Sequence, residues 1–330
     1  MARDLPPMDP ELSATLEEIP DEFLLANVVD FDDLPATRER MTELLETMLA
    51  EMPDRPDVES EDLTVPGPTA ERDLPLRIYR PVDAGTDTDD PLPCLYWIHG
   101  GGMVLGDLDQ DDPTCERLAD EVGCVVVSVD YRLAPEHPYP APVDDCFAGL
   151  EWVTANAADL GVDPSRVAIG GQSAGGGLSA AVALRARDGD GPELCHQHLI
   201  YPMLDDRNDT ESSRQVTDVG IWDRGMNLRA WEAYLGELSG ADDLPPYAAP
   251  GRVDDLSGLP PTYLDIGTHD VFRDETRAYA ERLLGNGVET EFHLWPGAYH
   301  AYETFAPEAR LSRETWEARA NALDRAFDAE

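Results

Sequence analysis

Ser173 stands at the centre of Gly171-Gln172-Ser173-Ala174-Gly175, a GxSxG pentapeptide between the β-branched run Val167-Ala168-Ile169-Gly170 and a helix-prone stretch at 176–187. Strand, sharp turn, helix is the setting in which such a serine is a nucleophile. The flanking glycines are expected to supply positive φ and to keep bulk away from the hydroxyl. A serine is weak unless a base takes its proton. Of the seven histidines, His300 fits best. It ends Pro296-Gly297-Ala298-Tyr299-His300, read as a turn after the last strand, which leaves the ring at the carboxyl end of a parallel sheet where ligands bind. The order Ser, acid, His along the chain agrees. The acid that orients the imidazole has three candidates after one strand: Asp265, Asp270 and Asp274. Asp265 falls in or at the end of the strand, and Asp274 suits a helix N-terminus. Asp270 is in the loop and is selected.

Acyl chemistry also needs N–H groups aimed at the developing alkoxide. His99-Gly100-Gly101-Gly102 follows a strand, and the backbone N–H groups of Gly101, Gly102 and Ala174 are assigned as donors. A phosphate-cradling role is excluded for this loop, because no GxGxxG or GK[ST] accompanies it. His196 and His198 share one strand face, but no third ligand is near. They read as edge-strand histidines, and neither metal nor cofactor is expected.

These residues need a scaffold. Short apolar runs at 63–65, 74–79, 94–98, 125–129, 167–169, 198–200, 262–266 and 289–294 read as strands. Helical patterns near 114–122, 143–156, 174–187, 273–285 and 313–327 alternate with the later ones. Such alternation predicts an α/β protein with a mostly parallel, eight-stranded sheet covered on both faces. Before the sheet, Met41, Leu44, Leu45, Met48 and Leu49 mark one amphipathic helix in need of an apolar partner, stopped by Pro53 and Pro56. The Asp-rich 83–90 stretch reads as an exposed hairpin loop. Residues 205–250 lack a strand pattern and carry a helix at 228–238, too long an insertion for a simple loop. The expected organisation is N-terminal cap helices at 1–55, a core at 56–204 and 251–330, and a cap insertion at 205–250. Met103, Leu105, Tyr201 and Trp222 are candidate substrate contacts.

Composition narrows the setting. There are 68 acidic residues against 24 basic ones, a formal charge of −44, and every basic residue is Arg. Such a surface repels itself at low ionic strength and is screened at molar salt, where the Debye length is ~3 Å. The composition resembles that of a protein from a molar-salt cytoplasm. Nucleic acids and anionic membranes are excluded as partners. No apolar run reaches membrane-spanning length, and the N-terminus has no apolar stretch after Arg3, so a cytoplasmic location is expected. The five cysteines have no ligand-like spacing and read as reduced thiols.

Across 92–302 the chain resembles the hormone-sensitive-lipase-like branch of the α/β-hydrolases, the capped carboxylesterases. The resemblance rests on His99-Gly100-Gly101-Gly102 with Gly106-Asp107-Leu108, on Asp130-Tyr131-Arg132-Leu133-Ala134-Pro135-Glu136-His137-Pro138 and on Ser173-Ala174-Gly175-Gly176. Leu259-Pro260-Pro261, Asp270 with Arg273-Asp274, and Gly297 with His300 continue it. It implies a Ser173, Asp270, His300 triad, hydrolysis of short to medium acyl esters without a cofactor, and a dimer paired through the last strand. Three positions depart from the family pattern. Gln172 replaces Asp, Val271-Phe272 replace Pro-Leu, and Ala301-Tyr302 replace Gly-Phe, which bears on substrate preference because Gln172 and Tyr302 border the triad. Relatives that lost the histidine became ligand receptors, and amidases or lactonases use the same residues; the presence of His300 argues against the receptor reading.

Overall fold

The computed structural model describes residues 5–49, 55–69, 72–82, 91–189, 191–219 and 221–329. The 83–90 loop and Pro53 lie outside the described residues, as do the side chains of Met48 and Leu49. Among the described residues eight strands form one sheet: β1 (Val58–Pro66), β2 (Asp73–Pro81), β3 (Leu92–Ile98), β4 (Val125–Val129), β5 (Val162–Gln172), β6 (His196–Ile200), β7 (Thr262–His269) and β8 (Thr290–Tyr299). Their order is β1-β2-β4-β3-β5-β6-β7-β8, with β2 antiparallel to both neighbours and the strands from β4 to β8 mutually parallel. The α/β sheet expected from the sequence is therefore present.

Eleven α-helices accompany it among the described residues: α1 (Pro10–Glu18), α2 (Leu25–Val28), α3 (Leu34–Leu49), α4 (Asp112–Val122), α5 (Ala141–Ala155), α6 (Ala174–Asp188), α7 (Glu211–Gln215), α8 (Arg224–Leu235), α9 (Arg273–Gly285), α10 (Tyr302–Phe305) and α11 (Arg310–Phe327). Central strands β3, β4 and β6 are buried almost throughout, which requires cover on both faces. The pleat of β3 shows the two layers. The Tyr96 hydroxyl donates to the Cys146 carbonyl of α5 at 2.9 Å, while the next residue, Trp97, turns its Nε1–H to Asp111, just before α4, at 2.7 Å.

Several elements differ from expectation for identifiable reasons. A helix not singled out in the sequence, α1, is opened by Pro10 in its first turn, with Asp9 accepting the N–H groups of Glu11 and Leu12. The stripe of α3 is only half-buried at Met41, Leu44 and Leu45. That helix is instead held by buried Leu34 and by Arg38, which donates to the carbonyls of Val104 and Ala134 and pairs with Glu136. β6 lies between β5 and β7, so His196 and His198 are interior, not edge, residues. Burial pushes His196 down to about 4 and His198 well below the usual imidazole range, so both are neutral rings packed in the core. β8 runs on to Tyr299, so the segment before His300 is strand rather than turn.

The N-terminal segment crosses the carboxyl ends of β7 and β8. His269 Nε2–H donates to the Pro6 carbonyl at 2.8 Å, and Asp9 N–H to the Gly297 carbonyl at 3.1 Å. Leu12 then packs with Ile221, Ala298, Tyr299 and Tyr302, joining α1, the 205–250 stretch and the end of β8 in one apolar cluster. No helix among the described residues is long and apolar enough to cross a membrane.

Candidate active site

Parallel strands deliver their carboxyl ends to one edge of the sheet, and four of them carry the chemistry expected from the sequence. β5 ends at Gln172 and α6 begins at Ala174, so Ser173 alone makes the turn, with φ 56° and ψ −118°. The positive φ thus belongs to the serine and not to its glycines. Gly171 and Gly175 are needed for a different reason. A Cβ on Gly175 would lie 1.9 Å from the Ile98 carbonyl oxygen, and one on Gly171 2.4 Å from the same atom. Helix α6 therefore presses directly on the end of β3, and only glycine lets it. The Ser173 backbone is fixed by its N–H donating to the Ile200 carbonyl and its carbonyl accepting from Met203, both at 2.9 Å.

His300 Nε2 lies 3.0 Å from Ser173 Oγ, and His300 Nδ1 lies 2.7 Å from Asp270 Oδ2. The carboxylate accepts only, so Nδ1 carries the proton toward Asp270 and Nε2 is left to receive the serine's. Asp270 is fully buried, and its Oδ1 accepts the Phe272 N–H at 2.9 Å, which fixes the carboxylate plane. Phe272 in turn packs edge-on against His300, ring centroids 5.3 Å apart. Ala301 follows the histidine at φ 57°, a left-handed position where the family's glycine costs less. A hydroxyl in this arrangement can pass its proton to the imidazole as its oxygen adds to a carbonyl carbon.

The rejected acids have other partners. Asp265 sits mid-strand and pairs with Arg319. Asp274, in the first turn of α9, exchanges hydrogen bonds with Ser212 instead of capping its own helix. Tyr302, read as bordering the triad, turns its hydroxyl away to Thr315 of α11.

The His99-Gly100-Gly101-Gly102 loop bends back at the end of β3, with φ 102° at Gly101, 64° at Gly102 and 64° at Met103. Gly101 is pressed against the Leu105 carbonyl and Gly102 against the Trp222 ring, where a Cβ would come within 2.2 and 2.4 Å respectively. Among the described residues no backbone hydrogen bond takes the N–H of Gly101 or Gly102, and a Cβ on Gly100 would lie 3.6 Å from the Ser173 Cβ, so the loop runs beside the serine. His99 is buried, stacked on Tyr131 at 4.2 Å, and held down to about 4 by burial, so it is a neutral support for the loop.

Met103, Leu105 and Trp222 are buried around this loop, and Trp222 roofs Gly102 from the 205–250 stretch. Tyr201 lies behind the histidine, with ring centroids 4.7 Å apart, and its hydroxyl is taken up by Glu303 and Gln172. Sequence reasoning missed Asp111, Glu303 and Arg319. Asp111 is fully buried between Trp97 and Gln172, and burial pushes its carboxyl up to about 6. In an acidic run at 107–112 it has no mark of its own. Arg319 did carry a signal, since it shares the apolar stripe of α11 with Trp316 and Leu323 at three- and four-residue spacing.

Comparison with known proteins gives the family. The family described as alpha/beta hydrolase fold matches residues 95–304. Carboxylesterase NlhH of Mycobacterium tuberculosis is 39% identical over 98% of both chains. An arylesterase of Saccharolobus solfataricus is 32% identical over 93% of this chain and 95% of its own. Among solved structures, a bacterial heroin esterase superposes with TM-score 0.90 and 40% identity over 98% of this chain and 99% of its own. A single match region spanning all four strand ends, and relatives aligned nearly end to end, leave one conclusion: this chain belongs to the α/β-hydrolase fold family.

Proposed function

We propose that this chain is a serine carboxylesterase that hydrolyses short to medium acyl esters and works at high salt. The observation that carries the reading is the continuous hydrogen-bonded path from Ser173 through His300 to Asp270. Relatives named as carboxylesterase and arylesterase support the choice of ester. Ser173 Oγ adds to the carbonyl carbon as its proton passes to His300 Nε2, while Asp270 steadies the imidazolium. The alkoxide lies toward the N–H groups of Gly101, Gly102 and Ala174. Collapse releases the alcohol, protonated by His300, and leaves an acyl-serine. Water, deprotonated by the same imidazole, then frees the acid.

Residues 1–55 and 205–250 are read as the cap, supported by the contact of Leu12 with Ile221 and by Trp222 over Gly102. The open edge of β8, with Leu294 exposed, supports pairing of two copies there.

A series of para-nitrophenyl esters from acetate to decanoate, assayed in molar KCl beside a matched anilide, tests substrate class. Turnover is expected to be highest at short to medium acyl length, with the anilide far slower. Preference for the anilide, or no ester turnover, contradicts the reading.

A further inference from the structure

Three separate segments must hold their relative positions for the triad to work: the turn with Ser173, the end of β7 with Asp270 and the end of β8 with His300. One buried polar network touches all three. The Tyr201 hydroxyl lies 2.8 Å from Glu303 Oε1 and 3.0 Å from Gln172 Oε1. Gln172 is the residue before the nucleophile, and Glu303 lies three residues after the histidine. Arg319 pairs with the same Glu303 oxygen and forks onto both oxygens of Asp265, in the strand that ends just before Asp270. Gln172 continues the network outward, donating to Asp111 at 2.7 Å.

Tyr201 sits at the centre of this network. Its ring meets the imidazole edge-on at 4.7 Å, and the Arg319 guanidinium lies over the same ring at 5.3 Å. The residue is 2% exposed and adopts φ 32°, a backbone conformation that bulky side chains avoid and that persists only where its surroundings enforce it. Burial and the Glu303 carboxylate push its phenol well up, so it stays protonated and donates.

We infer that Tyr201 is a positioning residue for the hydrolytic reaction: braced by Glu303, Arg319 and Gln172, it locks the three triad-bearing segments together and holds the imidazole against Ser173. This rests on the proposed triad. A displacement of about 1 Å in such a site costs about 10²-fold in rate. Losing the bridging hydroxyl while keeping the ring is a smaller disturbance.

The test is Tyr201→Phe, measured in molar KCl on an aryl acetate, alone and combined with His300→Ala. The expected result is a fall in kcat of about 10- to 100-fold, with KM within about twofold and no further loss when the variant is placed in His300→Ala, because an effect exerted through the imidazole vanishes with it. An unchanged kcat overturns the inference. So does an equal fractional loss in both backgrounds, which marks a general structural effect, and so does a rise in KM alone, which marks a substrate contact. If Tyr201→Phe does not fold, Gln172→Met removes the same bridge from its other end, with the same expected and contrary results. His300→Ala alone separates the two levels of the argument. If that variant keeps the parent rate, the triad reading fails; if it is inactive and Tyr201→Phe is not impaired, only the brace fails.

Discussion

Ser173→Ala is expected to lower turnover of an aryl ester by about 10⁴- to 10⁶-fold, while the protein melts within a few degrees of the parent. The substitution removes one atom whose hydrogen-bond partner is His300 Nε2 at 3.0 Å. The contacts that fix the Ser173 backbone do not use its hydroxyl: the Ser173 N–H to Ile200, its carbonyl to Met203, and the close contact of Gly175 with Ile98. These survive in alanine, so the change is to the chemistry and not to the fold. His300→Ala should cost a similar factor, and the double variant little more, because residues that act as one unit lose their effect together. The residue of catalysis that remains should be that of the three N–H donors and of binding. A Ser173→Ala protein that kept a few per cent of parent turnover would point to a different nucleophile.

Dilution of salt should have the largest effect on the fold. With a formal charge of −44, each Arg that pairs, as Arg77 does with Asp62, Asp109 and Asp112, still leaves most carboxylates without a cation. A chain of this length has a radius of gyration of about 20 Å. At 0.01 M salt the Debye length is ~30 Å, so every carboxylate repels every other across the molecule; at 1 M it is ~3 Å and only immediate neighbours interact. The melting temperature should therefore rise steeply with KCl, and dialysis into dilute buffer should abolish the cooperative transition and the activity together. NaCl should act like KCl at equal ionic strength if screening is the cause. A melting temperature that does not change between dilute buffer and molar KCl removes the salt adaptation and leaves the catalytic proposal intact.

The placement of the proposed triad was legible in the sequence because each member lies at the end of a strand whose apolar run is local. Ser173 and its turn are contiguous, and His300 and Asp270 follow from strand ends and chain order. What stayed hidden depends on partners far along the chain. The need for glycine at 171 and 175 comes from the Ile98 carbonyl, which a positive-φ argument does not see. Tyr201 finds Glu303 at a separation of 102 residues, so nothing nearby in sequence distinguishes Glu303 from the many carboxylates on the surface; Arg319 is marked as buried by its place in the stripe of α11, but its partner Asp265, 54 residues away, is not. α1 has no apolar stripe strong enough to mark it in the sequence; it is opened by Asp9 and Pro10, with Leu12 as its one buried residue. The extra length of β8 was missed because Pro296 and Gly297 look like a turn, yet they lie in the outer strand, whose other edge pairs with no strand among the described residues.

The central claim is that one hydroxyl is made nucleophilic by one imidazole, and covalent trapping tests it most directly. An aryl alkylphosphonate, incubated with the protein in molar KCl, should release one equivalent of phenol per chain, abolish esterase activity in step, and leave its phosphonyl group on the peptide containing Ser173, at a rate that collapses in His300→Ala. Phosphonylation of another residue as activity is lost, or trapping at an undiminished rate without His300, would contradict the account.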